Sequence, residues 1–168
     1  MKNRTQYFAL LLIGFSANTF AQATATASIA VNIVTPIGIT KAVDMNFGNI
    51  ATGITSGGTA VLSTDGTRST TGGVTIPLTS GSPAAASFVV TGTGSYTYTI
   101  SLPGSPITLN GSTEGMTVGA FVSNPAPIGR LSSGTQTIFV GGTLNVPEST
   151  TPGSYTNVSG LKVTVNYN

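Results

Sequence analysis

Cysteine, histidine and tryptophan are absent from this chain, and only 6% of its 168 residues are charged. Without histidine or cysteine, nucleophilic triads that depend on imidazole or thiolate are impossible, and zinc or iron sites lose their usual nitrogen and sulfur ligands. Without cysteine no disulfide can brace the fold, in whatever compartment it resides. Long apolar runs are scarce too. The exception is residues 8–15, interrupted only by Gly14 and preceded by Lys2 and Arg4. That run is too short to cross a bilayer; a basic start, a brief apolar stretch and then small residues describe a secretory signal peptide. Cleavage is expected after Ala21, with Ala23 the other position that offers small residues to the peptidase. Removal of residues 1–21 leaves no further stretch long enough to span, so the mature chain is expected to be exported, to the periplasm, the cell surface or the medium, without a membrane span.

The leader also carries the basic excess. The formal charge of +2 comes from Lys2 and Arg4, because Lys41, Arg68, Arg130 and Lys162 are balanced by Asp44, Asp65, Glu114 and Glu148. No basic patch remains, so nucleic acid and anionic lipid are not expected partners. A surface with so little net charge favours association, and self-association or assembly with related subunits is expected. The same four carboxylates leave a two-carboxylate hydrolase formally open. Their settings argue against it. Asp65-Gly66 is a turn pair, Glu148 follows Pro147 in a loop, Glu114 sits in Ser112-Thr113-Glu114-Gly115, and Asp44 reads as the anchor of a turn before Phe47. No clustered calcium loop occurs, and the glycine-rich stretches lack the lysine and helix of a phosphate cradle. No enzymatic activity, cofactor or metal is expected.

What is present is alternation. Tyr96, Tyr98, Ile100 and Leu102 alternate with Thr97, Thr99 and Ser101, and Leu161, Val163, Val165 and Tyr167 alternate with Lys162, Thr164 and Asn166, each giving one apolar and one polar face. Further strands are predicted at residues 37–41, 59–63, 74–78, 85–91, 116–123, 136–140 and 143–146. Between them Gly57-Gly58, Asp65-Gly66, Gly72-Gly73, Gly81-Ser82-Pro83, Pro103-Gly104, Asn110-Gly111, Gly141-Gly142 and Pro152-Gly153 read as turns. No stretch has a sustained helical period. Short strands at this spacing predict an all-β, antiparallel sandwich in one domain, residues 36–168. Tyr96 and Tyr98 fall on one apolar face and are expected in the core; exposed, such a pair would suit a sugar. Asn110-Gly111-Ser112 and Asn157-Val158-Ser159 fit the glycosylation pattern but are also good turn formers.

The extension at residues 22–35 carries the same device. Ala25, Ala27, Ile29, Val31 and Ile33 occupy every second position until Pro36 breaks the run. Two readings are open: a first strand paired within its own sheet, or a strand donated to another copy by β-augmentation. Burying Ile29, Val31 and Ile33 would stabilise the receiving sheet by roughly 1.5 to 3 kcal/mol each before entropy is counted, a sum comparable with the ~5 to 15 kcal/mol net stability of a domain.

The closing stretch Pro152-Gly153-Ser154-Tyr155 followed by residues 161–167, the element Asp44-Met45-Asn46-Phe47-Gly48 and the run Val140-Gly141-Gly142-Thr143-Leu144-Asn145-Val146 together resemble chaperone–usher pilin subunits and spore-coat-protein-U-like secreted domains. The resemblance implies an immunoglobulin-like, pilin-like sandwich that lacks one strand, a periplasmic chaperone and an outer-membrane usher as partners, and a role as subunit of a surface fibre, pilus or coat. It further implies that Leu161, Val163, Val165 and Tyr167 form the acceptor edge beside an open groove, and that Ala27, Ile29, Val31 and Ile33 fill a neighbour's groove. The chain departs from such pilins in having no disulfide and in the extra residues 156–160. A self-contained binding module, for instance an adhesin for glycans, is the alternative.

Overall fold

The computed structural model describes residues 22–111, 115–158 and 160–168; the expected leader at 1–21 and Glu114 lie outside them. The described residues contain no helix and form β1 (Gly38–Val43), β2 (Ala51–Thr52), β3 (Gly58–Leu62), β4 (Arg68–Gly72), β5 (Val74–Thr75), β6 (Ala86–Thr91), β7 (Thr97–Ser101), β8 (Ile107–Leu109), β9 (Met116–Asn124), β10 (Ile128–Arg130), β11 (Thr135–Val146) and β12 (Thr164–Tyr167). Residues 33–168 make one compact unit, to which residues 22–32 do not belong.

β11 is the hub of a seven-stranded sheet. Its first half pairs with β6 and its second half with β3 on one side, and β9 pairs along the other. β1 lies beyond β6, β4 beyond β3 and β8 beyond β9. A second sheet has the order β10-β7-β12, and β2 pairs with β5. Every pairing is antiparallel. The architecture is the expected all-β sandwich, because one buried cluster draws Phe88, Val90, Ile138 and Val140 from the large sheet and Tyr98, Ile100 and Val165 from the small one. The alternation in β7 places Tyr98 wholly inside while Thr97 and Thr99 stay exposed, as a half-buried strand requires. The Tyr98 hydroxyl donates to Gln136 Oε1 at 2.7 Å, and the same oxygen accepts the Arg130 N–H at 2.8 Å. The phenol is therefore satisfied, and burial pushes its pKa up.

Several expectations change in detail. The strands predicted at 136–140 and 143–146 are one strand, β11, and Gly141-Gly142 is not a turn. Both glycines sit where neighbours press close: a Cβ on Gly141 would strike the Leu62 carbonyl, and one on Gly142 would lie 3.1 Å from the Phe121 ring. The strand predicted at 74–78 is only Val74–Thr75, and Leu78 is exposed. β12 pairs only from Thr164, although Leu161 and Val163 keep the inward parity and pack on the core. β2, β4, β8 and β10 carried too little apolar alternation to be read. Of the two tyrosines, Tyr98 is core but Tyr96 is 46% exposed, its ring tilted against Tyr167 at 5.7 Å.

Candidate functional site: an open apolar groove

The interior of the sandwich is divided. One cluster gathers around Phe88, Tyr98, Ile138 and Val165, and a second around Ala60, Val118, Leu144 and Val146. Met45 and Phe121 are partly buried and pack against both. Phe121 reaches this position because the β9–β11 pairing shifts register between Gly141 and Thr143, next to Ala120 at φ 47°. The irregularity turns both Val118 and Phe121, three positions apart, towards the interior, as a bulge does. Between the clusters opens a groove of about 1090 Å³. Its floor includes Phe88, Val118, Phe121 and Leu144, and its walls are the segments 43–50 and 153–158 with Gly160 and Leu161.

The first wall is tied down by backbone and amide bonds. Asn46 and Ala84 exchange N–H···O bonds of 2.8 Å, Asn46 Oδ1 accepts the Gly48 N–H at 2.7 Å, and the Asn49 N–H donates to the Ser80 carbonyl at 2.9 Å. Gly48 has φ +65°, and a Cβ there would meet the Ser80 carbonyl. The Arg68 guanidinium donates to the carbonyls of Phe47, Asn49 and Ser80, which sets Met45, Phe47 and Ile50 along the groove. Asn46, rather than Asp44, anchors this turn. Asp44 instead pairs with Lys41 at 2.6 Å on the exposed lip, an ion pair that contributes little in water.

The second wall pairs with the end of β8. Asn110 and Thr156 exchange two backbone bonds of 2.9 Å, Asn157 Nδ2 donates to the Thr108 carbonyl at 2.8 Å, and the Tyr155 ring covers Gly111 so closely that a Cβ there would overlap it. The described carboxylates are scattered. Asp44 is on the groove lip, Glu148 is exposed after β11, and Asp65 caps the β3–β4 turn. Thr67 donates its hydroxyl and its N–H to Asp65 Oδ1, which holds that carboxyl below its ordinary value of 3.8. No cluster of metal-ligating side chains occurs among the described residues.

Of the four expected acceptor residues, only Leu161 lines the groove. Val163 packs on the core, and Val165 is inside it. Tyr167 is engaged by its own chain: its hydroxyl accepts the Thr93 N–H at 2.8 Å and donates to the Thr35 carbonyl at 3.0 Å. β12 is an edge strand, with β7 as its paired neighbour. The Asn168 N–H donates to the Thr97 carbonyl at 3.2 Å, so Asn166 and Thr164 also turn their backbone groups to β7, and those of Val163, Val165 and Tyr167 face away. Residues 22–37 form no strand. Ile29, Val31 and Ile33 are 98%, 86% and 89% exposed, and Ala27 is exposed with them.

The sequence profile of the DUF4402 domain of unknown function matches residues 37–167. The chain belongs to this family. The stretch matched to DUF4402 takes in both groove walls and β12, and stops short of the exposed ribbon at 27–33. No curated protein and no solved structure matches the chain. Among the described residues of this DUF4402 protein no helix is long and apolar enough to cross a membrane. The groove residues Met45, Phe47, Ile50, Met116 and Phe121 were missed as a site in the sequence. In the sequence Met45 and Phe47 stood out only within the element Asp44-Met45-Asn46-Phe47-Gly48, and Met116 and Phe121 only as part of the strand predicted at 116–123.

Proposed function

We propose that this protein is an exported structural subunit of a surface fibre, pilus or coat that assembles by β-augmentation, the ribbon around Ala27, Ile29, Val31 and Ile33 of one copy entering the groove of the next. The observation that carries this reading is a pair of unmet requirements in one chain. A ribbon with one apolar face has its aliphatic side chains in water, and a divided core has a groove of about 1090 Å³ whose lining includes Phe88, Val118, Phe121, Leu144 and Leu161. A strand edge is also on offer, since the backbone groups of Val163 and Val165 face away from β7, and an added strand takes its hydrogen bonds from such an edge. Residues 1–21 act as the export signal, and a periplasmic chaperone and outer-membrane usher are the partners that the pilin resemblance brings with it.

Sedimentation velocity on the exported chain tests this. Concentration-dependent oligomers that vanish in an Ile29→Asp/Val31→Asp variant are expected; a wild type that stays monomeric at high concentration overturns the reading. One observation favours a second reading, a secreted binding module for glycans: the exposed Tyr96 ring against Tyr167 offers an apolar face of the kind sugars stack on. Under that reading Tyr96→Ala abolishes retention on a glycan array and leaves sedimentation unchanged.

A further inference from the structure

Residues 153–158 form a strap with a structural task of its own. Residues 153–158 leave the end of β11 and pair with the end of β8 through Thr156 and Asn110, an edge position in the seven-stranded sheet. The chain then runs through Leu161 into β12, in the other sheet. This strap is thus tied to both sheets, and it is one of the two walls of the groove. Three contacts fix it: the paired backbone bonds of Asn110 and Thr156, the amide of Asn157 on the Thr108 carbonyl, and the Tyr155 ring seated on Gly111. The last contact is open only to glycine as the ring now lies, since a Cβ at 111 would overlap it and force Tyr155 to shift. The Tyr155 hydroxyl donates back to the Thr151 carbonyl at 2.7 Å, closing the strap on itself.

We propose that this strap holds the groove preformed in the isolated chain, so that a free strand enters from solution without another protein to shape the site. The inference rests on the assembly reading above and deepens it. A site whose wall is already fixed does not pay the ordering cost on binding, so loosening the strap weakens strand binding even though no strap contact touches the buried clusters. Thr156, Asn157 and Tyr155 are positioning residues in this sense.

The test is fluorescence anisotropy of a labelled peptide of residues 22–34, with full-length exported protein kept below the concentration at which it self-associates. Wild type alone is expected to bind. Gly111→Val displaces Tyr155 and is expected to weaken binding about tenfold, the loss of one or two hydrogen bonds' worth of order. Asn157→Ala should act in the same direction, more weakly. Adding Asn110→Cys/Thr156→Cys to Gly111→Val re-ties the strap covalently, because partners in a doubly bonded antiparallel pair lie about 5.5 Å apart at Cα, within disulfide reach. The oxidised form should regain wild-type affinity and the reduced form should not, a redox dependence that general destabilisation does not produce. Equal binding by wild type and Gly111→Val, or no recovery on oxidation, overturns the strap's role and leaves the assembly reading standing. Wild type that binds only after a second protein is added also overturns the strap's role. Failure of every form to bind the peptide sinks both.

Discussion

Two ribbons of this chain share one period and meet different fates. From Leu161 to Tyr167 the apolar residues fall on odd positions, and Val165 lies in the core while Thr164 and Asn166 are exposed. From Ala27 to Ile33 the apolar residues again fall on odd positions, yet Ile29 and Val31 stand in water and no strand forms. A two-residue period prepares one face for burial. It does not say which sheet will bury it, because the receiving strand is chosen by contacts distant in sequence. The first ribbon has β7 beside it, with Val165 opposite Ile100 and Tyr167 opposite Tyr98; the second forms no strand.

The contrast is broken most severely at its settled end. Val165→Asp places an unpaired carboxylate in the core and should cost at least ~3 kcal/mol, whereas Thr164→Asp on the solvent face should stay within about 0.5 kcal/mol; similar urea midpoints for the two would mean that the observed register is wrong. A smaller effect is expected one strand inward. Tyr98→Phe removes the hydroxyl that Gln136 accepts and should lower stability by about 1 kcal/mol, read as a shift of the same midpoint. At the unsettled end, Val31→Asp should change the urea midpoint of the monomer by no more than about 0.5 kcal/mol while abolishing self-association, and a large loss of monomer stability would mean that the ribbon is buried in its own molecule. The smallest effect lies away from both ribbons. Asp65 is held below 3.8 by the Thr67 hydroxyl and N–H, so its contribution to the β3–β4 turn is present at neutral pH and fades only as pH falls through that lowered value. Thr67→Val should bring the Asp65 midpoint up towards 3.8 in a carboxyl-carbon NMR titration.

The groove was much less legible than the strands that surround it. Ile100 and Val165 announced themselves through alternation, a signal carried within five or six residues. Phe121 could not, because its inward direction comes from an irregularity against β11 that also turns Val118 inward. The Met45 to Ile50 wall could not either, since its shape is imposed by Arg68, Ser80 and Ala84 from other parts of the chain. Even the Gly141-Gly142 pair, which locally looks like a turn, is straightened into β11 because the Leu62 carbonyl and the Phe121 ring approach it from either side.

Read alone, the residue order was enough to exclude imidazole and thiolate chemistry, to predict an all-β antiparallel body, and to assign inward and outward faces to its clearest strands. Those properties are local or compositional: a missing side chain is missing in any fold, and a strand's two faces follow from its pleat. The joining of two predicted strands into β11, the capture of Thr35 by the Tyr167 hydroxyl and the division of the core by a groove came only with the folded chain. Each depends on which distant segments meet, and the free energy of that choice is shared among many contacts that no short window of sequence contains.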